Sequence, residues 1–177
     1  AQGQVPSYSE RVLPPQSSTQ LPITVHSIDG SRAVRDNVTL IRRRFFPHLS
    51  NAWQYHLAAV SDFEGEAEFV EGRGEVGELV TSGKLEHSAS HFEKVTTLPR
   101  RVLTLDTFCS QEGINQADVV KVDAEGQDSR IIFGALLTIK RAHVSLVVVE
   151  YSPQSAGWQN YSLERLVADL HEAADMS

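Results

Sequence analysis

Four acidic residues stand where a predicted strand ends. Asp29 follows Ile23–Ile28, Asp123 and Glu125 follow Asp118–Val122, and Glu150 follows Ser145–Val149. Ligands of open α/β sheets bind at the carboxyl ends of the strands. A carboxylate in that position accepts both hydroxyls of a ribose, or lies near a cationic ligand group whose charge it offsets. The competing role is structural, because Asp123, Glu125 and Asp128 all precede the start of a predicted helix and would favour its positive end. Lys121, two residues before Asp123, reads as a structural cation at the strand end.

Other patterns are weaker. Gly72-Arg73-Gly74-Glu75-Val76-Gly77 matches G-x-G-x-x-G, but a phosphate-binding loop of that kind must lead directly into a helix. The β-leaning Glu78–Gly83 follows instead, so the segment is expected to form a hairpin or loop. The seven histidines show no metal-binding spacing. His87 and His91 fall on one helical face without a supporting carboxylate, and no metal is expected. No G-x-S-x-G elbow is present. Cys109, among Thr107, Phe108 and Ser110, reads as a small core residue.

The elements that must position these residues alternate in type. After a Gln-, Ser- and Pro-rich lead-in over 1–22, Ile23–Ile28 reads as a strand and Ser31 as the cap of a helix reaching Phe46. Val34, Val38, Ile41 and Phe45 form its apolar stripe, and Arg42–Arg44 suit its negative end. Trp53–Val60 is predicted as a strand, followed by short strands at Glu66–Val70, Val76–Thr81, Lys94–Leu98 and Val102–Leu105. A short helix is predicted near Asp106–Glu112. Asp128 is expected to cap a helix carrying Ile132, Ala135, Leu136 and Ile139. Ser145–Val149, apolar on both faces, is expected at the centre of a parallel sheet. Ser162 is expected to cap a last helix with Leu163, Leu166, Val167 and Leu170 on one face. A right-handed crossover through 129–141 would place Val119–Val122 beside Leu146–Val149.

The bulk properties agree with one globular domain over 23–177. The chain has 177 residues, 41% of them hydrophobic, enough for a real core. Apolar runs such as Leu146–Val149 fall far short of the roughly 20 residues a membrane span needs. A net charge of −7 disfavours nucleic acid as a partner. The single cysteine forms no internal disulfide, which slightly favours a reducing, cytoplasmic compartment.

Val119-Val120-Lys121-Val122-Asp123-Ala124-Glu125-Gly126, followed by Phe133-Gly134-Ala135, resembles the K-[IV]-D-[VA]-E-G…G-A signature of FkbM-type S-adenosylmethionine-dependent methyltransferases. Ala58-Ala59-Val60-Ser61-Asp62…Gly65 is similar to the family's A-[VL]-[SG]-D-x-x-G segment. Thr104-Leu105-Asp106 resembles its T-L-D, and Val147–Glu150 its strand ending in glutamate. The resemblance implies a Rossmann-like fold, with a mostly parallel sheet and helices on both faces. It implies methyl transfer from S-adenosylmethionine to an oxygen or nitrogen of a small-molecule or glycan acceptor. On that basis Asp29 would bind the ribose hydroxyls, while Ser61 and Asp62 would lie at the adenine edge. Asp123 and Glu125 would line the donor and acceptor side, one of them taking the acceptor's proton. The glycine-rich stretch Glu71–His91 would be the acceptor lid.

The pattern departs from the family at its start. A D-x-G-x-N-x-G loop is expected before Ile23, and residues 1–22 hold none. The domain is therefore expected to be incomplete at its N-terminal edge. The rival reading is a catalytically inactive relative kept as a binding or scaffold module. Another nucleotide-using enzyme, such as a dinucleotide oxidoreductase, would require Gly72–Gly77 to open a helix.

Overall fold

Two parallel strand pairs and one mixed sheet make up the β-structure of the computed structural model, which describes residues 23–49, 51–71, 77–79, 96–124, 126–151 and 162–175. In the first pair, β1 (Val25–Asp29) runs parallel to β2 (Trp53–Leu57), with Val25 opposite Trp53. Between them runs α1 (Arg32–Phe45), which begins as expected: the Ser31 hydroxyl accepts the Val34 amide at 3.3 Å. In its last turn Arg42 donates to the Trp53 carbonyl, while Arg43 and Arg44 are exposed. The apolar stripe of α1 is only partly covered, with Ile41 and Phe45 exposed.

The predicted strand Trp53–Val60 breaks at Ala58, whose amide donates to the Asp29 carbonyl at 3.2 Å. Its continuation, β3 (Ala59–Val60), changes partner and joins β6 (Thr96–Leu103) in parallel. β4 (Gly65–Glu71) pairs antiparallel with β6 and with β5 (Gly77–Leu79). The strands foreseen on either side of Pro99 are thus one strand. Proline is tolerated there because β3 reaches β6 only at Val102 and Leu103, leaving one flank of Pro99 without a ladder partner among the described residues.

α2 (Leu105–Glu112) starts at Thr104, whose hydroxyl accepts the Thr107 amide at 3.0 Å, and ends at Gly113 with φ 68°. That left-handed closing residue suits glycine. The last pair, β7 (Val119–Val122) and β8 (Leu146–Val149), runs parallel with Val119 opposite Leu146, the juxtaposition expected from the sequence. The single helix foreseen between them is two, α3 (Asp128–Phe133) and α4 (Leu136–Arg141), interrupted at Gly134 and Ala135. α5 (Leu163–Asp175) follows, with the Ser162 hydroxyl accepting the Arg165 amide.

The largest core lies between the β7–β8 pair and these three helices. Val122, Ile131, Ile132, Ala135, Ile139, Leu166 and Ala173 are buried there, with Val120, Val147 and Val149 packed against them. Two expectations are corrected by this packing. β8 has only β7 as a ladder partner among the described residues, and Leu146 and Val148 on its far face are 52% and 41% exposed. An all-apolar strand therefore does not mark the centre of a sheet here, since helices cover one of its faces only. In α5 the inward positions are Leu166, Asp169 and Ala173, with Leu170 partly buried against the core as expected, while Leu163 and Val167 are exposed. The fold is α/β, with its strands divided among small sheets.

Candidate active site

Asp29 ends β1, and its carboxylate turns back to accept the Ser31 amide at 2.6 Å. Burial raises its pKa; the Ser31 amide opposes that shift and the nearby Glu71 adds to it. The turn is held from below by a buried ion pair. Arg100 on β6 donates from Nε to the Gly30 carbonyl at 2.6 Å and from Nη2 to Glu71 Oε1 at 2.7 Å. The same Glu71 oxygen accepts the Arg32 amide at the start of α1, also at 2.6 Å. Gly30 sits against the Phe69 ring so closely that no Cβ fits. Tyr55 closes the turn by donating to the Ser31 carbonyl at 3.1 Å, and burial raises its phenol pKa.

Ser61 and Asp62 follow β3. Ser61 is fully buried; its amide donates to the Leu103 carbonyl and its hydroxyl to Asp62 Oδ1 at 3.1 Å. Arg130 on α3 donates to the same oxygen from Nε at 2.8 Å and from Nη2 at 2.6 Å. All three donors act on Oδ1, which leaves Oδ2 without a protein partner among the described residues. Gly134 makes this loop possible, because a Cβ there would run into the Ser61 carbonyl oxygen. The Asp106 amide fixes the same turn by donating to the Gly134 carbonyl at 3.0 Å. Its carboxylate accepts the Leu137 and Thr138 amides at the head of α4. Thr104 and Asp106 of the T-L-D segment are thus both helix caps.

Asp123 follows β7 and is half exposed. The Lys121 ammonium lies on its Oδ2, as a strand-end structural cation would. Its pKa is lowered mainly by that contact and further by a side-chain hydrogen bond with Glu150 at the end of β8. The pairing of β7 with β8 thus brings together two of the acids that the sequence places at strand ends. Asp128 does not cap α3 through its side chain. Its carboxylate instead accepts the Ala124 and Gly126 amides, both at 3.0 Å, and shapes the loop after Asp123. Gly126 has φ 89° in that loop, a conformation that favours glycine.

Glu125 lies outside the described residues, as do most of Glu71–His91 and both His87 and His91. Of Gly72–Gly77, only the last glycine is described; it opens the strand β5 and no helix, which removes the basis for a dinucleotide oxidoreductase. Among the described residues no hydrogen bond or ion pair joins Asp29, Asp62 and Asp123 to one another. Their connection runs through the backbone bond from Ala58 to Asp29 and through Arg130, whose helix begins just beyond the Asp123 loop. Sequence reasoning missed Arg130, Arg100 and Glu71. Their partners lie 68, 29 and 39 residues away, so no local spacing reveals them.

Burial also raises the pKa of Cys109, which packs in a small core with Ala58, Leu103 and Phe108 rather than facing a ligand. No described helix is long and apolar enough to cross a membrane.

Comparison with known families gives a match over most of the chain. A model of the methyltransferase FkbM domain matches residues 31–175, a span that takes in Ser61, Asp62, Asp123 and the caps of α2 and α4, and begins just after Asp29. No curated protein and no solved structure matches the chain significantly. With the match running over most of the sequence and through every loop just described but the first, the chain belongs to the FkbM methyltransferase domain family.

Proposed function

We propose that this chain acts as a single methyltransferase domain over 23–177, Rossmann-like in design, with S-adenosylmethionine as the methyl donor. The observation that carries the reading is the state of Asp62. Its Oδ1 is saturated by Ser61 and Arg130, and Oδ2 is left to accept a hydrogen bond at a strand end. An adenine amine is a donor of the right kind. Asp29, a partly buried carboxyl with Oδ1 held by Ser31, would accept the ribose hydroxyls on its other oxygen. The two remaining carboxylate oxygens are acceptors of the kind that an adenosine group, with its amine and hydroxyl donors, requires.

When bound, the sulfonium supplies an activated methyl group. Transfer to an acceptor oxygen or nitrogen would release S-adenosylhomocysteine and require the acceptor's proton to be taken up. This chain's contribution is chiefly positioning, with nucleophile and methyl held in line at about 3–3.5 Å. Asp123 stays ionised beside Lys121, which makes it a poor proton acceptor but a lasting negative charge opposite a cation. Of Asp123 and Glu125, one would take the acceptor's proton. The acceptor is a small molecule or glycan, and no nucleic acid is involved.

Calorimetric titration with S-adenosylhomocysteine tests the cofactor assignment. Micromolar binding is expected, weakened about tenfold by Asp29→Asn, equivalent to about 1.4 kcal/mol. Asparagine keeps an acceptor for the Ser31 amide, so the loss reads the ribose contact rather than the turn. No heat of binding from a demonstrably folded chain would overturn the cofactor assignment and leave the inactive binding module as the reading.

A further inference from the structure

We propose that His26, His56 and Glu112 form a binding site for one divalent transition-metal ion, zinc foremost, which clamps α2 onto the β1–β2 pair. The two histidines come from neighbouring parallel strands, 30 residues apart. His26 stands opposite Gln54 and Ile28 opposite His56, so both imidazoles project from the same face of the pair. His26 Nδ1 lies 3.1 Å from His56 Nε2. Two imidazole ligands on a tetrahedral zinc, each at about 2.0–2.1 Å, stand roughly 3.3–3.4 Å apart. The observed spacing lies within a few tenths of an ångström of that value, while Glu112 Oε1 stands 4.0 Å from the other His56 nitrogen, Nδ1. Glu112, in the last turn of α2, completes the set: one ligand atom from each residue lies within 4.8 Å of the others.

The surroundings favour ligation over a simple contact between rings. The rings stack at 5.3 Å between centroids, and Phe108 of α2 meets both edge-on, at 5.8 Å from His26 and 4.7 Å from His56. That packing fixes the ring planes before any ion arrives, which lowers the entropy cost of binding. Glu112 is more open, with its side chain 37% exposed against 21% for His56. An ion has a route in at that end, and water a place in the fourth position. Two nitrogens and one carboxylate oxygen suit zinc and the neighbouring first-row divalent ions better than magnesium or calcium. Ile28, Ala58 and Leu103 belong to the small core beside Phe108, so an ion here would act as a structural clamp at the edge of that core. The ligands are spread across two strands and a helix, which is why no histidine spacing in the sequence announces them.

The test is zinc titration of the full chain, followed by calorimetry and thermal unfolding, with cobalt as a spectroscopic probe. One zinc per chain, a raised unfolding midpoint and the visible bands of tetrahedral cobalt are expected. Glu112→Gln should weaken binding by about tenfold to a hundredfold. His26→Gln and His56→Gln should abolish both the one-to-one binding and the stabilisation, while His143→Gln, outside the cluster, changes neither. Each variant's circular dichroism without metal checks that it folds; if one strand variant does not, the other carries the test. Absence of binding to the folded wild type, or binding that survives loss of both histidines, would overturn the site and leave a hydrogen bond between two imidazole rings.

Discussion

Arg100→Ala is expected to destabilise the fold by about 3–5 kcal/mol, the usual result of removing one partner from a buried ion pair. Arg100 is 5% exposed and Glu71 only 18% by side chain, so neither charge is well hydrated. Alanine would strip the Gly30 and Pro99 carbonyls of their guanidinium donors and leave Glu71 with only the Arg32 amide on that oxygen. The guanidinium also lies over the Phe69 ring, 5.9 Å from its centroid. Glu71→Gln should cost less, since its amide oxygen still accepts from Arg100 and Arg32. Urea unfolding of the three proteins measures both effects. A loss below about 1 kcal/mol for Arg100→Ala, the range of surface pairs, would show the pair to be solvated.

The second large effect is expected at Gly134. An alanine Cβ there meets the Ser61 carbonyl oxygen and also approaches the Asp62 backbone. Overpacking of this kind costs about 1–3 kcal/mol, and the strain falls on backbone, which yields less readily than a side-chain tip. Something must move, and the atoms met all belong to the Ser61–Asp62 loop. Gly134→Ala should therefore lower stability and weaken S-adenosylhomocysteine binding together. Gly113→Ala serves as contrast: nothing lies within 4 Å of its added Cβ, and only the φ of 68° is unfavourable. That variant should lose stability without losing ligand. Equal ligand loss in both would sink the link between Gly134 and the site.

What could be read ahead of the structure divides along sequence distance. Ser31 as a cap, the helix after it, and the parallel pairing of Val119–Val122 with Leu146–Val149 all rest on local pattern and were legible. The Lys121–Gly126 signature was legible too, but not what its parts do. Gly126 supplies a positive φ, Gly134 a close approach, and Asp128 an acceptor for loop amides rather than a helix cap. Illegible were contacts between distant segments: Arg130 on Asp62, Arg100 on Glu71, and His26 beside His56. Hydrophobic periodicity also overreached. Ile132, Ala135, Leu136 and Ile139 keep helical spacing across Gly134, yet the chain breaks there to let Ser61 in. Leu146 and Val148 read as interior because they are apolar, although the pattern carries no information on which faces a neighbour covers.

That uncovered face of β7 and β8 has a colloidal consequence. Val119, Leu146 and Val148 form a largely apolar surface, broken by Lys121, on a strand pair, a shape suited to sticking to its like. At neutral pH the opposing force is the net charge of −7. That repulsion vanishes near the isoelectric point of about 5.5, and its reach shrinks to about 8 Å at physiological ionic strength. Mild acid and added salt thus push the protein the same way, toward self-association, and a slightly alkaline, low-salt solution is where it stays dispersed.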